Sequence, residues 1–242
     1  MRSSVFILLT EGESDMCISD AFDECLAPQF QGVSCHGDIT VARINVGGVK
    51  WPQAKNLAGT IKTIIRREAD QTHEFAMKDI IAVAQLTDLD GAYIPDDRVM
   101  PGSELRYLPD RIETDNPQSI IERNQEKRRR MDMLCAWRSI KLIGGKEVPY
   151  RLFYSSRNLE HAMHDEAGGL ATGRKRDLAL DLSSHAIREP QWFKKHVTSA
   201  SILHGFNDYT ASWEWARQGT NSLSRGSNIG LLPQEFGMEW QL

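Results

Sequence analysis

Apolar residues in this chain gather into short unbroken runs separated by amphipathic stretches. Val5 to Leu9 is wholly apolar, and Ile80-Ile81-Ala82-Val83-Ala84-Gln85-Leu86 is nearly so. Runs without polar alternation predict strands buried on both faces, the state of a central parallel strand. Between them, Ile18, Phe22, Cys25 and Leu26 recur at helical spacing, which predicts a helix capped by Ser14 or Asp15 and running to about Ala27. Asp38 to Val46 reads as a further strand, ended by Gly47-Gly48. Leu57, Ile61, Ile64 and Ile65 then predict a helix opening at Pro52 and closing near Arg66-Arg67. Strand and helix in alternation require right-handed crossovers and a mainly parallel sheet, an α/β fold.

Ala92 to Asn116 carries Pro95, Pro101 and Pro109 among scattered acids, and reads as a mobile loop excursion (92–117) above the sheet edge. A helix is predicted from Gln118 to Ile140, with a polar middle from Glu122 to Arg130 that suits a solvated face. Val148 to Tyr154 reads as a fourth strand, passing through Ser155-Ser156 into a helix near Arg157. Helices are expected at Arg174–Arg188, Gln191 to about His204, and Tyr209–Gln218, with Trp192, Phe193, Phe206, Tyr209, Trp213 and Trp215 as core aromatics. The expected division is a domain over 1–165 with a helical C-terminal region, 166–242, packed on it.

Composition narrows the function classes. The 242 residues carry a net charge of -4, so nucleic-acid contacts would have to come from local patches. No run is long and apolar enough for a signal peptide or a membrane span. The four cysteines, Cys17, Cys25, Cys35 and Cys135, form no CxxC pair, which favours free thiols in a reducing, cytoplasmic compartment over a structural zinc. Two histidines on one helical face, His161 and His164, lack the spacing of helical zinc hydrolases. Gly47-Gly48 and Gly168-Gly169 lack the pattern of a phosphate loop.

The chemistry concentrates where strands end. The 80–88 run stops at Asp88-Leu89-Asp90-Gly91, and the first run stops at Thr10-Glu11-Gly12. In open α/β sheets ligands gather outside the carboxyl ends of the strands. Two carboxylates one residue apart repel unless a proton or a cation lies between them, and a hard divalent ion satisfies such oxygens. A solvated turn is the plainer alternative for Asp-x-Asp-Gly.

Glu11-Gly12 after a first strand, followed later by Asp88-Leu89-Asp90-Gly91 after another, resembles the Toprim domain of topoisomerases, bacterial primases, OLD-type nucleases and small ribosomal-RNA-maturing nucleases. The resemblance spans roughly the first 160 residues. It implies a Toprim-like sheet flanked by helices, with Glu11, Asp88 and Asp90 as catalytic acids that bind one or two Mg²⁺ or Mn²⁺ ions. Asp15 and Glu160 would be additional metal ligands. Arg157, the Lys127-Arg128-Arg129-Arg130 run and Lys50 are the basic groups expected to meet nucleic-acid phosphates. Room is lacking for a topoisomerase gate, and the cysteine pairs of a primase zinc module are missing. The resemblance therefore implies a nuclease acting on DNA or RNA, of the kind found as phage-defence effectors, sometimes with a partner ATPase or sensor protein. Asp88→Ala or Asp90→Ala is expected to abolish activity and leave the fold intact. Two rivals stand beside it. One is a non-catalytic Toprim-like module binding nucleic acid or protein. The other is a haloacid-dehalogenase-like phosphatase with Asp88 as nucleophile and Asp90 as acid, which the Ala92 in place of threonine and the internal position of the motif disfavour.

Overall fold

The computed structural model describes residues 4–12, 17–26, 31–37, 39–40 and 56–240. Strand β1 (Val5–Thr10) is buried along its whole length. Helix α1 (Cys17–Cys25) follows, then strand β2 (Gln31–His36), helix α2 (Leu57–Thr72) and strand β3 (Ile80–Asp88). The predicted first, second and 80–88 elements are all present. The strand beside β1 is β2, which was not expected; of the expected 38–46 strand only Ile39 and Thr40 are described, and they lie in a bend. Positions 41–55, with the predicted start at Pro52, lie outside the described residues. The Asn56 side chain caps α2, accepting a hydrogen bond from Gly59 N at 3.0 Å.

The 92–117 stretch is not an irregular excursion. It folds into strands β4 (Val99–Pro101), β5 (Arg106–Tyr107) and β6 (Ile112–Thr114), joined as a small sheet in the order β4-β6-β5. Ile94, Val99 and Ile112 pack with Ile120 and Leu223 into a satellite core beneath it. Helix α3 (Pro117–Cys135) follows and ends five residues short of the predicted Ile140. Ser139–Lys141 forms β7 instead, antiparallel to β8 (Glu147–Ser155), and Trp137 packs against Tyr150 at 5.6 Å between ring centroids.

The main sheet has the order β2-β1-β3-β8-β7. The first four strands are parallel and only β7 runs against its neighbour, so the sheet is mixed, with helices flanking it. Helices α4 (Leu159–His164), α5 (Thr172–Arg188), α6 (Pro190–Val197), α7 (Tyr209–Ala216) and the single turn α8 (Leu232–Glu235) complete the fold. The expected 191–204 helix stops at Val197, where Thr198 returns its hydroxyl to Lys194 O and the chain turns. No helix among the described residues is long and apolar enough to cross a membrane.

The C-terminal segment is bonded into the sheet. β7 covers only the first half of β8's outer edge; Ser227 and Asn228 cover the second half. Asn228 Oδ1 accepts from Tyr154 N at 2.8 Å, Ser227 Oγ donates to Tyr154 O at 2.7 Å, and Asn228 Nδ2 donates to Ser212 Oγ at 3.1 Å. Asn228 is fully buried, so its truncation strands a buried backbone donor. Asn228→Ala should therefore lower stability by about 2–3 kcal/mol, read as a shifted denaturation midpoint at unchanged slope.

Candidate functional site

β1 and β3 are neighbours in the sheet and run parallel, so their carboxyl ends open on the same edge. Glu11 follows β1 directly, and Asp88 is the last residue of β3. Beyond Asp88 the backbone turns tightly. Leu89 N donates to Ser155 O at 2.9 Å, Asp90 N to Arg157 O at 2.8 Å, and Ala92 N to Leu89 O at 2.8 Å. Asp90 itself has φ of 47°, a left-handed conformation that aspartate tolerates better than most residues. This turn lifts the Asp90 carboxylate off the strand and toward α3.

Lys127 meets it there. Its side chain is only 2% exposed, with Nζ 2.6 Å from Asp90 Oδ2 and 4.0 Å from Glu11 Oε2. Burial alone would push the ammonium toward neutrality, but Asp90, Glu11 and Asp88 together hold its pKa above the ordinary lysine value. Burial likewise works against ionisation of Asp90. The charges of Lys127 and Arg123 outweigh it, and the Asp90 pKa is lowered. Glu11 behaves differently. It is 9% exposed, and burial raises its pKa despite Lys127 and a hydrogen bond from Thr40. Thr40 donates to Glu11 Oε1 from its backbone N at 3.1 Å and from its hydroxyl, which also touches Thr87 Oγ1 at 2.5 Å. One carboxylate is thus held ionised and another is made easy to protonate, which suits a site that moves protons.

A second layer comes from α3. Arg123 lies one helical turn before Lys127 and reaches the same place. It donates to Asp90 O at 3.0 Å through Nη2 and to Tyr107 Oη at 2.7 Å through Nη1. Asn124 Nδ2 donates to Gly91 O at 3.4 Å. The Asp90-Gly91 turn is therefore gripped by side chains as well as by backbone.

The residues expected from sequence fall into three groups. Glu11, Asp88, Asp90, Lys127 and Arg157 converge, with Arg157 N donating to Ser222 O at 3.0 Å beside the Asp90 turn. Glu160, 5% exposed on α4, is paired with Lys175, whose Nζ lies 3.2 Å from it and whose charge also reaches Asp90. The basic run does not form one patch, because four consecutive helical residues point around the axis. Arg128 pairs with Asp96 at 2.8 Å and Arg129 with Glu126 at 2.9 Å. Arg130, 3% exposed, binds Glu126 and Ile39 O. The solvated face expected for this stretch is corrected accordingly, since Lys127 and Arg130 are both buried. Asp15 and Lys50 lie outside the described residues. Arg123, Tyr107, Thr40, Thr87 and Lys175 were not expected at the site.

A divalent ion is implied by the resemblance, and Glu11, Asp88 and Asp90 are the groups that would hold it. Glu11, Asp88 and Asp90 offer hard carboxylate oxygens from two adjacent strand ends. The Ser155 hydroxyl, in register with Asp88 across β3 and β8, is buried without a hydrogen-bond partner. An orphaned buried hydroxyl at this edge is costly unless something binds it. No group of three or more His, Cys, Asp or Glu side chains forms a ready ligand cage among the described residues, and Lys127 supplies the positive charge between the acids. Comparisons with protein-family models, with curated proteins and with solved structures give no match to this chain.

Proposed function

We propose that this protein is a metal-dependent nuclease that hydrolyses phosphodiester bonds of DNA or RNA at a Toprim-like acidic cluster. The observation that supports it most is the meeting of Glu11, Asp88 and Asp90, from the ends of adjacent parallel strands, around the buried Lys127. Glu11, Asp88 and Asp90 would hold Mg²⁺ or Mn²⁺, with the Ser155 hydroxyl beside them. A bound divalent ion would activate water and stabilise the leaving oxygen.

The chain's own groups account for the rest. Lys127 keeps Asp90 ionised at neutral pH, so the carboxylate is ready to coordinate or to accept a hydrogen bond. Thr40 fixes the rotamer of Glu11, which would serve either as a metal ligand or, with its pKa raised by burial, as the general acid/base. Arg123 and Arg157 put guanidinium charge beside the Asp90 turn, where negative charge on a phosphate would develop. The same Lys127–Asp90 pair favours one other reading, a module that binds nucleic acid without cutting it and uses the acids structurally.

Cleavage of labelled single- and double-stranded DNA and RNA, with Mg²⁺ or Mn²⁺ and with EDTA, separates the two. Metal-dependent cutting abolished by EDTA is the expected result. Retained binding with no cutting under any of these conditions would replace the nuclease with the binding module.

A further inference from the structure

The small three-stranded sheet carries Tyr107 to the Asp90 turn, where two guanidiniums lie over its ring. The Arg123 Cζ is 5.8 Å from the ring centroid and the Arg157 Cζ is 5.6 Å from it. Arg123 is fully engaged: it bonds Tyr107 Oη, Asp90 O and Asn124 Oδ1. Arg157 is not. It is 7% exposed, yet among the described residues its guanidinium donates no hydrogen bond and forms no ion pair. A guanidinium has five N–H donors, and in an arginine this enclosed they stay open to an acceptor that enters beside Tyr107.

The backbone holds Arg157 in this state. Its φ is 60°, uncommon for a residue other than glycine. Two hydrogen bonds fix it there, Arg157 N to Ser222 O at 3.0 Å and Asp90 N to Arg157 O at 2.8 Å. Strain persists where the surroundings over-determine it, and such positions cluster at ligand clamps. Burial also pulls the Arg157 pKa down against the pull of Tyr107 and Asp90, as for a cation short of a partner.

We propose that Arg157, laid on Tyr107 and flanked by Arg123, is the seat of a phosphoryl group beside Asp90, with Tyr107 and Arg123 as positioning residues. Two non-bridging oxygens of a phosphate match the planar fork of an arginine, and a stacked guanidinium presents that fork in a fixed orientation. That the phosphoryl group belongs to a nucleic-acid strand follows from the nuclease reading above; the anion chemistry stands without it.

The test uses the full chain in EDTA with two probes, sodium pyrophosphate by calorimetry and fluorescein-labelled single strands of DNA and RNA by anisotropy. Arg157→Gln should weaken the binding of whichever probe the wild type takes by about tenfold, and lower the salt slope for the strand by about one. Arg157→Lys should recover part of the affinity, since it restores charge without the fork. Tyr107→Leu should weaken binding as well. Combined with Arg157→Gln it should cost less than the sum, because it acts through that arginine. A merely structural Tyr107 would give additive losses. Equal affinity of wild type and Arg157→Gln for both probes would overturn the proposal, as would failure of the wild type to bind either. Pyrophosphate binding without strand binding would keep the anion seat and make free phosphoesters its ligands. Loss of metal-dependent cutting alone, with the Arg157 effect on binding intact, would remove the nuclease and leave the seat standing.

Discussion

Lys127→Met should destabilise the protein by about 3 kcal/mol at neutral pH, one of the largest losses expected from a single side chain here. Breaking a buried ion pair by removing one partner typically costs about 3–5 kcal/mol, because the remaining charge stays in a poorly solvating place. The lower end applies, since the Asp90 side chain keeps 35% of its surface while Lys127 keeps 2%. Methionine fills the volume of the lysine stem, so the loss reports charge rather than a cavity. The pH dependence has a definite sign. Asp90 is depressed in the folded state, so its contribution is present above the unfolded carboxylate value and fades as pH falls through the folded one. Lys127 is raised, so its contribution is present below the unfolded lysine value and fades as pH rises through the folded one. Glu11 is raised and works against ionisation, which trims the gain as pH rises through its folded value. The gap between wild type and variant should therefore be widest between the carboxylate and lysine ranges and close toward acid. Chemical denaturation at several pH values checks this. A gap that widened toward acid would contradict the pairing. If the acids hold Mn²⁺, the ion should also raise the melting temperature of the Lys127→Met protein more than that of the wild type.

Lys127 also shows where the chain was legible and where it was not. The strand ends could be read because β1 and β3 are buried on both faces and announce themselves as apolar runs, so Glu11, Asp88 and Asp90 were placed by the strands they terminate. β8 was legible from its apolar Leu152-Phe153-Tyr154 end, and α5 from the helical spacing of Leu178, Leu182 and Ala186. β2 was not: as an edge strand it buries Val33 and Cys35 but carries Gln31, Gly32 and Ser34, too mixed to stand out beside the more apolar stretch that follows. The 92–117 sheet was missed because its strands are two or three residues long and its core borrows Ile120 and Leu223 from elsewhere.

The helix α3 misled for a more specific reason. Its inward stripe is Ile120, Asn124, Lys127, Met131 and Leu134, a regular alternation of four- and three-residue steps. Two polar residues occupy the middle of that stripe, so the segment reads as a solvated face when polarity alone is counted. Read by spacing, the stripe places Asn124 and Lys127 among residues that must be buried, and a buried lysine requires a carboxylate. Polar residues at core spacing were the signal for the site, and Asp90 was the partner to look for. Thr40 and Tyr107 carried no such signal, since their positions depend on chain closures that periodicity does not encode.

The second large effect is on activity, and the ion pair changes how it must be measured. On the nuclease proposal, Asp88→Asn should reduce phosphodiester cleavage by about 10²–10³-fold or more, as loss of a charge-stabilising group in a catalytic centre does. Asp88 lies at the end of β3 with intermediate burial, so its stability loss should stay within about 1 kcal/mol. Asp90→Ala should also abolish cleavage, but it does not leave the fold untouched. It leaves Lys127 without its hydrogen-bonded carboxylate, with Glu11 at 4.0 Å and the charge of Asp88 as what remains, and should cost about 3 kcal/mol in its own right. A dead Asp90→Ala protein would therefore be ambiguous between lost chemistry and lost structure. The double variant Asp90→Asn with Lys127→Met resolves it. Removing both members of a buried pair is often close to neutral, so the double variant should melt nearer the wild type than either single variant does. Its cleavage should remain at background, because the carboxylate is gone. Recovery of stability together with recovery of cutting would show that Asp90 serves only to hold Lys127. Recovery of stability without cutting would place Asp90 in the chemistry itself.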